Sequence, residues 1–181
     1  MAQNENRKIL LHACCGICSA HPISLLKELG YEVIVYFSNS NLDTLEEFSK
    51  RLEAQQKVCA MHQVELLVDD YKHHEYLDFI QGLEAEPERG SRCDKCIELR
   101  LKKTAQKCFE LGIKEFTTSL PISPHKNFQK ISELGKQLAD ENNITFTPFD
   151  FKKKDGFLKT NKIARELELY RQNYCGCEFA K

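Results

Sequence analysis

The chain has 181 residues, enough for one compact domain with a core and too few for two generous ones. Hydrophobic residues make up 41% and charged residues 29%, with a formal net charge of −1, an average soluble balance that sets aside disordered, collagen-like and fibrous classes. No apolar run reaches the ~20 residues that span a bilayer. The start, Met1 to Lys8, is polar and lacks the apolar stretch of a signal peptide, so a cytoplasmic protein without membrane contact is expected.

Along the chain, the apolar run Lys8 to His12 predicts a strand that ends in Ala13-Cys14-Cys15-Gly16. An amphipathic helix with Ile17, Leu25, Leu26 and Leu29 follows and stops at Gly30. Tyr31 to Phe37 predicts a second strand. Thr44 is placed to cap a helix in which Leu45, Phe48, Leu52 and Cys59 recur at helical spacing. Val64 to Val68 is a third strand, followed by a helix around His74 to Leu83. The loop Glu86 to Arg92 then delivers Cys93 and Cys96 to the start of a long helix ending near Gly112. Glu115 to Ser119 is the next strand, Asn127 opens a helix with Phe128, Ile131, Leu134 and Leu138, and Ile144 to Phe149 is a fifth strand before a basic tail region. Strands alternating with helices predict one α/β domain over residues 1–181. Its mostly parallel sheet is flanked by helices in a doubly wound, nucleotide-hydrolase-like arrangement. Ligands in such sheets sit beyond the carboxyl ends of the strands, where the loops bearing Cys14, Cys15 and Ser119 fall.

Charge is unevenly divided. Residues 41–88 carry 12 acids against 4 bases, residues 89–107 carry 7 bases against 2 acids, and residues 151–181 carry 8 bases against 4. Positive charge thus gathers around the later cysteine motifs, where a polyanion would be held.

Nine cysteines, an odd count in a reducing compartment, point to metal or redox chemistry and away from a disulfide framework. Cys59 and Cys108 lie on apolar helix stripes and read as small core residues. Cys18 forms C-x-x-C with Cys15, a metal spacing, but shares a helix face with Leu25 and Leu29 and reads as structural. Cys14 and Cys15 differ: adjacent thiols at a strand-to-helix turn offer thiolates to one site, aided by the positive end of the helix. Cys93 and Cys96, at a helix start with Arg92 and Lys95 beside them, make the same case. Together the two pairs offer four thiolates, the count for zinc or a [4Fe–4S] cluster, and spacing does not choose between them. Cys175-Gly176-Cys177 suits either a small, strained and therefore labile disulfide or ligation of a second metal. Asp94 and His12 stand beside the thiols as further donors, ranked below them.

Four ordered motifs carry a resemblance. They are His12-Ala-Cys-Cys-Gly16; Gly90-Ser-Arg-Cys-Asp-Lys-Cys96 with Arg100-Leu-Lys-Lys-Thr-Ala105; Phe116-Thr-Thr-Ser-Leu120 with Ser123-Pro-His-Lys-Asn127; and Leu169-Tyr-Arg-Gln-Asn-Tyr-Cys-Gly-Cys-Glu-Phe179. With them the chain resembles the QueH-type epoxyqueuosine reductases from about Lys8 to Phe179. The resemblance implies two-electron reduction of epoxyqueuosine to queuosine at the wobble position of tRNA, the last step of queuosine biosynthesis, with electrons from an external donor. Carried over by motif, Cys14, Cys15, Cys93 and Cys96 would hold a [4Fe–4S] cluster and Cys175 and Cys177 would form the redox-active pair. The family is also associated with an additional mononuclear iron, for which Asp94 and a thiolate of the C-terminal pair are candidate ligands. Ser38-Asn-Ser-Asn41 departs from the Tyr-Asn-Pro-Asn-like run of the family. The substrate base sits in an anticodon loop, where bases splay out and stack on aromatic rings such as Tyr170, Tyr174 or Phe128. Lys152 to Lys154, Lys159, Arg165 and Arg171 are the expected phosphate contacts.

Two other readings compete. A nucleotide-activating iron–sulfur tRNA sulfurtransferase would share the sheet, but its pyrophosphate loop should read like Ser-Gly-Gly-x-Asp-Ser, and here thiols stand in that place. A zinc-stabilised RNA-binding module without catalysis would be colourless and would lack redox-active thiols.

Overall fold

In the computed structural model, which describes residues 7–181, the first apolar run forms β1 (Arg7–Ala13). The first six residues of the polar start lie outside the described residues. Ile9 and Leu11 of β1 pack on one side of the sheet and Leu10 on the other, all three fully buried, as expected of a strand covered on both faces. Each such side chain contributes about 2 kcal/mol by leaving water. The remaining strands are β2 (Tyr31–Phe37), β3 (Glu65–Val68), β4 (Glu115–Thr118) and β5 (Thr145–Phe146). All pairings are parallel, in the order β3-β2-β1-β4-β5.

The helices are α1 (Gly16–Glu28), α2 (Leu45–His62), α3 (His73–Phe79), α4 (Ser91–Glu110), α5 (Phe128–Glu141) and α6 (Gly156–Glu166). One apolar layer joins β1 and β2 to α1, α2 and α6 through Ile9, Val35, Ile23, Val58 and Ala164. The other joins the sheet to α4 and α5 through Leu10, Phe116, Leu101 and Ile131. The expected doubly wound α/β sheet is therefore present. Two departures stand out: the fifth strand keeps only two residues, and the basic tail contains α6, which the sequence pattern does not announce. No helix among the described residues is long and apolar enough to cross a membrane.

The strand order reverses between β1 and β4, so the loops leaving those two strands diverge and open a crevice at their carboxyl ends. Cys14 leaves β1 at that point and Ser119 leaves β4, with Cys14 Sγ and Ser119 Oγ 3.9 Å apart. The position of the site follows from this topology.

Candidate metal centre

Gly16 begins α1 immediately after the two cysteines, and a Cβ there would lie 2.5 Å from the carbonyl oxygen of Ala54 in α2. Only glycine lets α1 lie that close to α2, and this contact sets the angle at which the Cys14-Cys15 turn enters the helix. Cys15 is the N-cap: its sulfur accepts from Cys18 N–H at 3.4 Å and from Gln172 Nε2 at 3.0 Å. The cap brings Cys18, three residues on, back over the turn. The sulfurs of Cys14, Cys15 and Cys18 all lie within 4.8 Å of one another, with Cys14 and Cys15 4.0 Å apart. A zinc ion with ~2.3 Å bonds to tetrahedral thiolates needs sulfurs roughly 3.8 Å apart, so the group is close to the span of a metal shell. Cys18, read from sequence as structural, is thus both packed against the core and part of this thiol group.

The three thiols share their protons unequally. Hydrogen bonding with Cys15 and Cys18, with Arg100 behind them, overcomes burial and holds the Cys14 thiol well below its ordinary range. Interaction with the neighbouring thiols, together with burial, pushes Cys15 up to about 12 and raises Cys18 as well. A thiol with a lowered pKa beside two others is a nucleophilic, metal-ready arrangement.

A cavity of about 490 Å³ opens over this group, lined by Cys14, Cys18, Arg100, Lys126, Gln172 and Cys175 among others. Lys126 Nζ lies 3.6 Å from the Cys175 sulfur. Cys177 turns instead into a buried cluster with Tyr76, Leu99 and Cys96. Burial raises the Cys96 thiol, against the pull of Arg100. Cys93 takes a backbone hydrogen bond from Arg89 N–H at 3.2 Å and opens, with Asp94, into a second cavity of about 550 Å³ between α4 and α5. Asp94 pairs with Lys130 at 3.1 Å in that groove. Arg89, His125 and Lys126 line both cavities, so the two are neighbours. The predicted cysteines therefore cluster at one edge in three groups, Cys14 with Cys15 and Cys18, Cys96 with Cys177, and Cys93 with Asp94, while Cys175 faces Cys14 across the first cavity. All nine thiols are free.

The C-terminal segment is strapped over the crevice. Arg51 Nη1 and Nη2 donate to the carbonyls of Cys175 and Tyr174 at 3.0 and 3.1 Å, while its Nε holds Glu47 at 2.6 Å. Gly176, at φ +121°, carries the turn between the two cysteines, and a Cβ there would meet Leu42 at 2.5 Å. Tyr174 lines the cavity with its hydroxyl on Asp43 at 2.7 Å, whereas Tyr170 is tied to Glu47 and Phe128 is half-buried at the start of α5. The loop Ser38 to Asn41 is buried beneath the site, with Asn39 Nδ2 donating to Ala13 O at 3.0 Å. Sequence reading missed Arg51, Arg100, His125 and Lys126. Arg100, His125 and Lys126 sat in quoted motifs without a role, and nothing local marks Arg51 as a strap.

The donor set is all sulfur, soft and partly ionised, and suits thiolate-bound iron–sulfur or zinc over hard cations. A family model described as "Epoxyqueuosine reductase QueH" matches residues 9–181. Curated proteins named epoxyqueuosine reductase QueH are similar: one from Streptococcus pyogenes is 39% identical over 95% of this chain and 69% of its own length, one from Helicobacter pylori 37% over 95% and 49%, and one from Staphylococcus epidermidis 33% over 97% and 77%. The chain thus spans between half and about three quarters of these relatives. Among solved structures, a U34-tRNA thiolase, NcsA from Methanococcus maripaludis with its [4Fe–4S] cluster, superposes with a TM-score of 0.62 at 19% identity, covering 98% of this chain and 62% of that one. A predicted tRNA methyltransferase subunit from Methanocaldococcus jannaschii gives 0.56 at 13% identity, over 87% of this chain and 76% of that one. At such identities the likeness is one of fold.

Proposed function

The chain belongs to the epoxyqueuosine reductase QueH family, and from that membership we propose that it reduces epoxyqueuosine to queuosine in tRNA at the cysteine-lined crevice between β1 and β4. The observation that carries the placement is the convergence of the Cys14, Cys15 and Cys18 thiols under a cavity that Cys175 also lines.

In this reading Cys14, Cys15, Cys93 and Cys96 would hold a [4Fe–4S] cluster, and Asp94 would serve an additional iron. Bound there, the cluster supplies single-electron transfer and the additional iron Lewis acidity toward the epoxide oxygen. The protein's own groups do the rest. Removing an epoxide oxygen consumes two electrons and two protons and releases water. Cys175 and Cys177 release both electrons and both protons on closing to a disulfide, which an external donor reopens. Lys126 donates to the Cys175 sulfur at 3.6 Å, and Arg51, through the Cys175 carbonyl, holds that thiol at the cavity. Arg89 and Lys126 line this cavity and Lys130 the neighbouring groove, where they would meet anticodon-loop phosphates while Tyr174 offers a ring to the splayed base.

Iron and sulfide analysis of anaerobically purified protein tests the centre. The expected result is a brown protein with about four or more irons per chain. Alanine at Cys14, Cys15, Cys93 or Cys96 should each remove the colour, whereas Cys59→Ala and Cys108→Ala should keep it. Cys18→Ala belongs in the same series because its thiol lies with the first two. A colourless protein with one zinc, or iron retained in the four variants, would overturn the assignment.

A further inference from the structure

Three arginines are buried around the crevice, and two of them are each held by several protein partners. Arg51 is paired with Glu47 and donates to two carbonyls. Arg92 donates to the carbonyls of Glu84 and Glu86, and its guanidinium lies 4.7 Å from the Phe179 ring centre. Arg100 is different. It sits one turn beyond Cys96 on α4, is 4% exposed, and makes one long hydrogen bond, Nε to Cys96 O at 3.4 Å. Its guanidinium has five N–H donors and lines the cavity shared by Cys14, Cys18 and Cys175. No carboxylate among the described residues pairs with it. Around it stand the thiols of Cys14 and Cys175, which line the same cavity, and Cys96, whose carbonyl it meets.

A buried cation without a partner costs several kcal/mol, and a site that keeps one is shaped for an anion. Metals bound by four thiolates make such an anion, because the thiolates outweigh the charge of the core. We infer that Arg100 is a positioning residue that compensates the negative charge of the metal–thiolate centre in this cavity and raises its reduction potential. The inference rests on the metal-centre reading above and adds a residue to it that no motif assigns a role.

The test compares wild type, Arg100→Met and Arg100→Lys, each metal-free and after anaerobic reconstitution with iron and sulfide. Metal-free Arg100→Met should unfold at a temperature no lower than wild type, since a buried unpaired charge has been exchanged for an apolar stem of similar length. Reconstituted Arg100→Met should titrate at a lower midpoint. A roughly tenfold fall in the ratio of reduced to oxidised centre at fixed potential, about 59 mV for one electron, is expected. It should also lose iron to a chelator about tenfold faster. Arg100→Lys, which keeps the charge, should recover at least half of both effects. Wild-type midpoint and iron retention in Arg100→Met would overturn the role of Arg100 and leave the metal centre standing. An Arg100→Met protein destabilised equally with and without metal would show a purely structural arginine and overturn it as well. Wild-type protein that takes up no iron would overturn both readings, which separates the two failures.

Discussion

At the end of β1 the His12 ring is fully buried, and its hydrogen bonds fix its tautomer. Ser38 O can only accept, so Nε2 carries the proton toward it at 3.1 Å. Nδ1 then accepts from the Thr118 hydroxyl at 2.9 Å, whose oxygen takes Leu120 N–H at 3.2 Å. The neutral ring ties together the carboxyl ends of β1, β2 and β4 under the cysteines. Burial, with Arg100 nearby, lowers its pKa from 6.5 to about 4. The unfolded chain therefore binds this proton first as pH falls, and stability present above pH 6.5 is lost progressively toward pH 4. Denaturant unfolding of metal-free protein should show a loss of about 3 kcal/mol from this residue across that window, and His12→Gln should flatten the slope by one proton. The cysteines of the site were legible because free thiols have few uses besides metal, redox and core. Cys18 was not, since its helical spacing to Leu25 is true as well and only the N-cap geometry of Cys15 shows that its thiol also turns toward Cys14. Cys175→Ser or Cys177→Ser should abolish conversion of epoxyqueuosine while leaving the cluster spectrum. Iron counted in the same samples separates a lost mononuclear ion from a lost dithiol, and full activity in both variants would remove the pair from the mechanism.

Between elements, two close approaches hold the site in shape. α1 meets α2 at Gly16, and Gly16→Ala should cost about 1–3 kcal/mol because the Ala54 carbonyl is backbone and must move. The Arg51–Glu47 pair ties the C-terminal segment to α2, with Tyr170 completing the carboxylate's contacts at 2.8 Å. Arg51→Met would leave Glu47 buried without its cation and should cost about 3–5 kcal/mol. The double variant Arg51→Met/Glu47→Leu should recover most of that stability in equilibrium unfolding without restoring the strap, so its activity should stay low. A double variant as unstable as the single one would place the loss elsewhere. Long periodic elements such as α2, α4 and α5 were readable from the chain. The fifth strand was expected over Ile144 to Phe149, yet regular pairing stops at Phe146, and Pro148 has no N–H to carry the ladder on. α6 was hidden for another reason. The residues it buries are Gly156, Thr160 and Ala164, all small and none strongly apolar, so no apolar period marks it. Its cap position, Asp155, is left-handed and makes no capping bond.

Over the whole molecule, alternation of strands and helices was enough to anticipate a parallel sheet with its cysteine loops on the carboxyl edge. It could not anticipate how cations distribute around that edge, because those from distant segments meet only after folding. Arg89 precedes α4, Lys126 and Lys130 flank the start of α5, and all three line the groove beside the cysteine cavity. Lys152 to Lys154 lie before α6, in the layer on the other side of the sheet. The acidic stretch 41–88 runs through α2 and α3 and repels a polyanion from that flank. An anticodon arm docking on the carboxyl edge would therefore rest on the groove cations and could reach the α6 side with its stem. Each phosphate contact to single-stranded RNA adds about 0.7 to the slope of log affinity against log salt. Arg89→Ala with Lys126→Ala should then lower affinity for tRNA and flatten the slope by roughly 1.4, with iron content unchanged. The triple variant Lys152→Ala/Lys153→Ala/Lys154→Ala should also weaken binding, uniformly for modified and unmodified tRNA, because those lysines are far from the base. Loss of discrimination for the epoxide-bearing tRNA should appear only in the groove variant. If the groove variant binds with the wild-type slope, the RNA reaches the cysteines from another side.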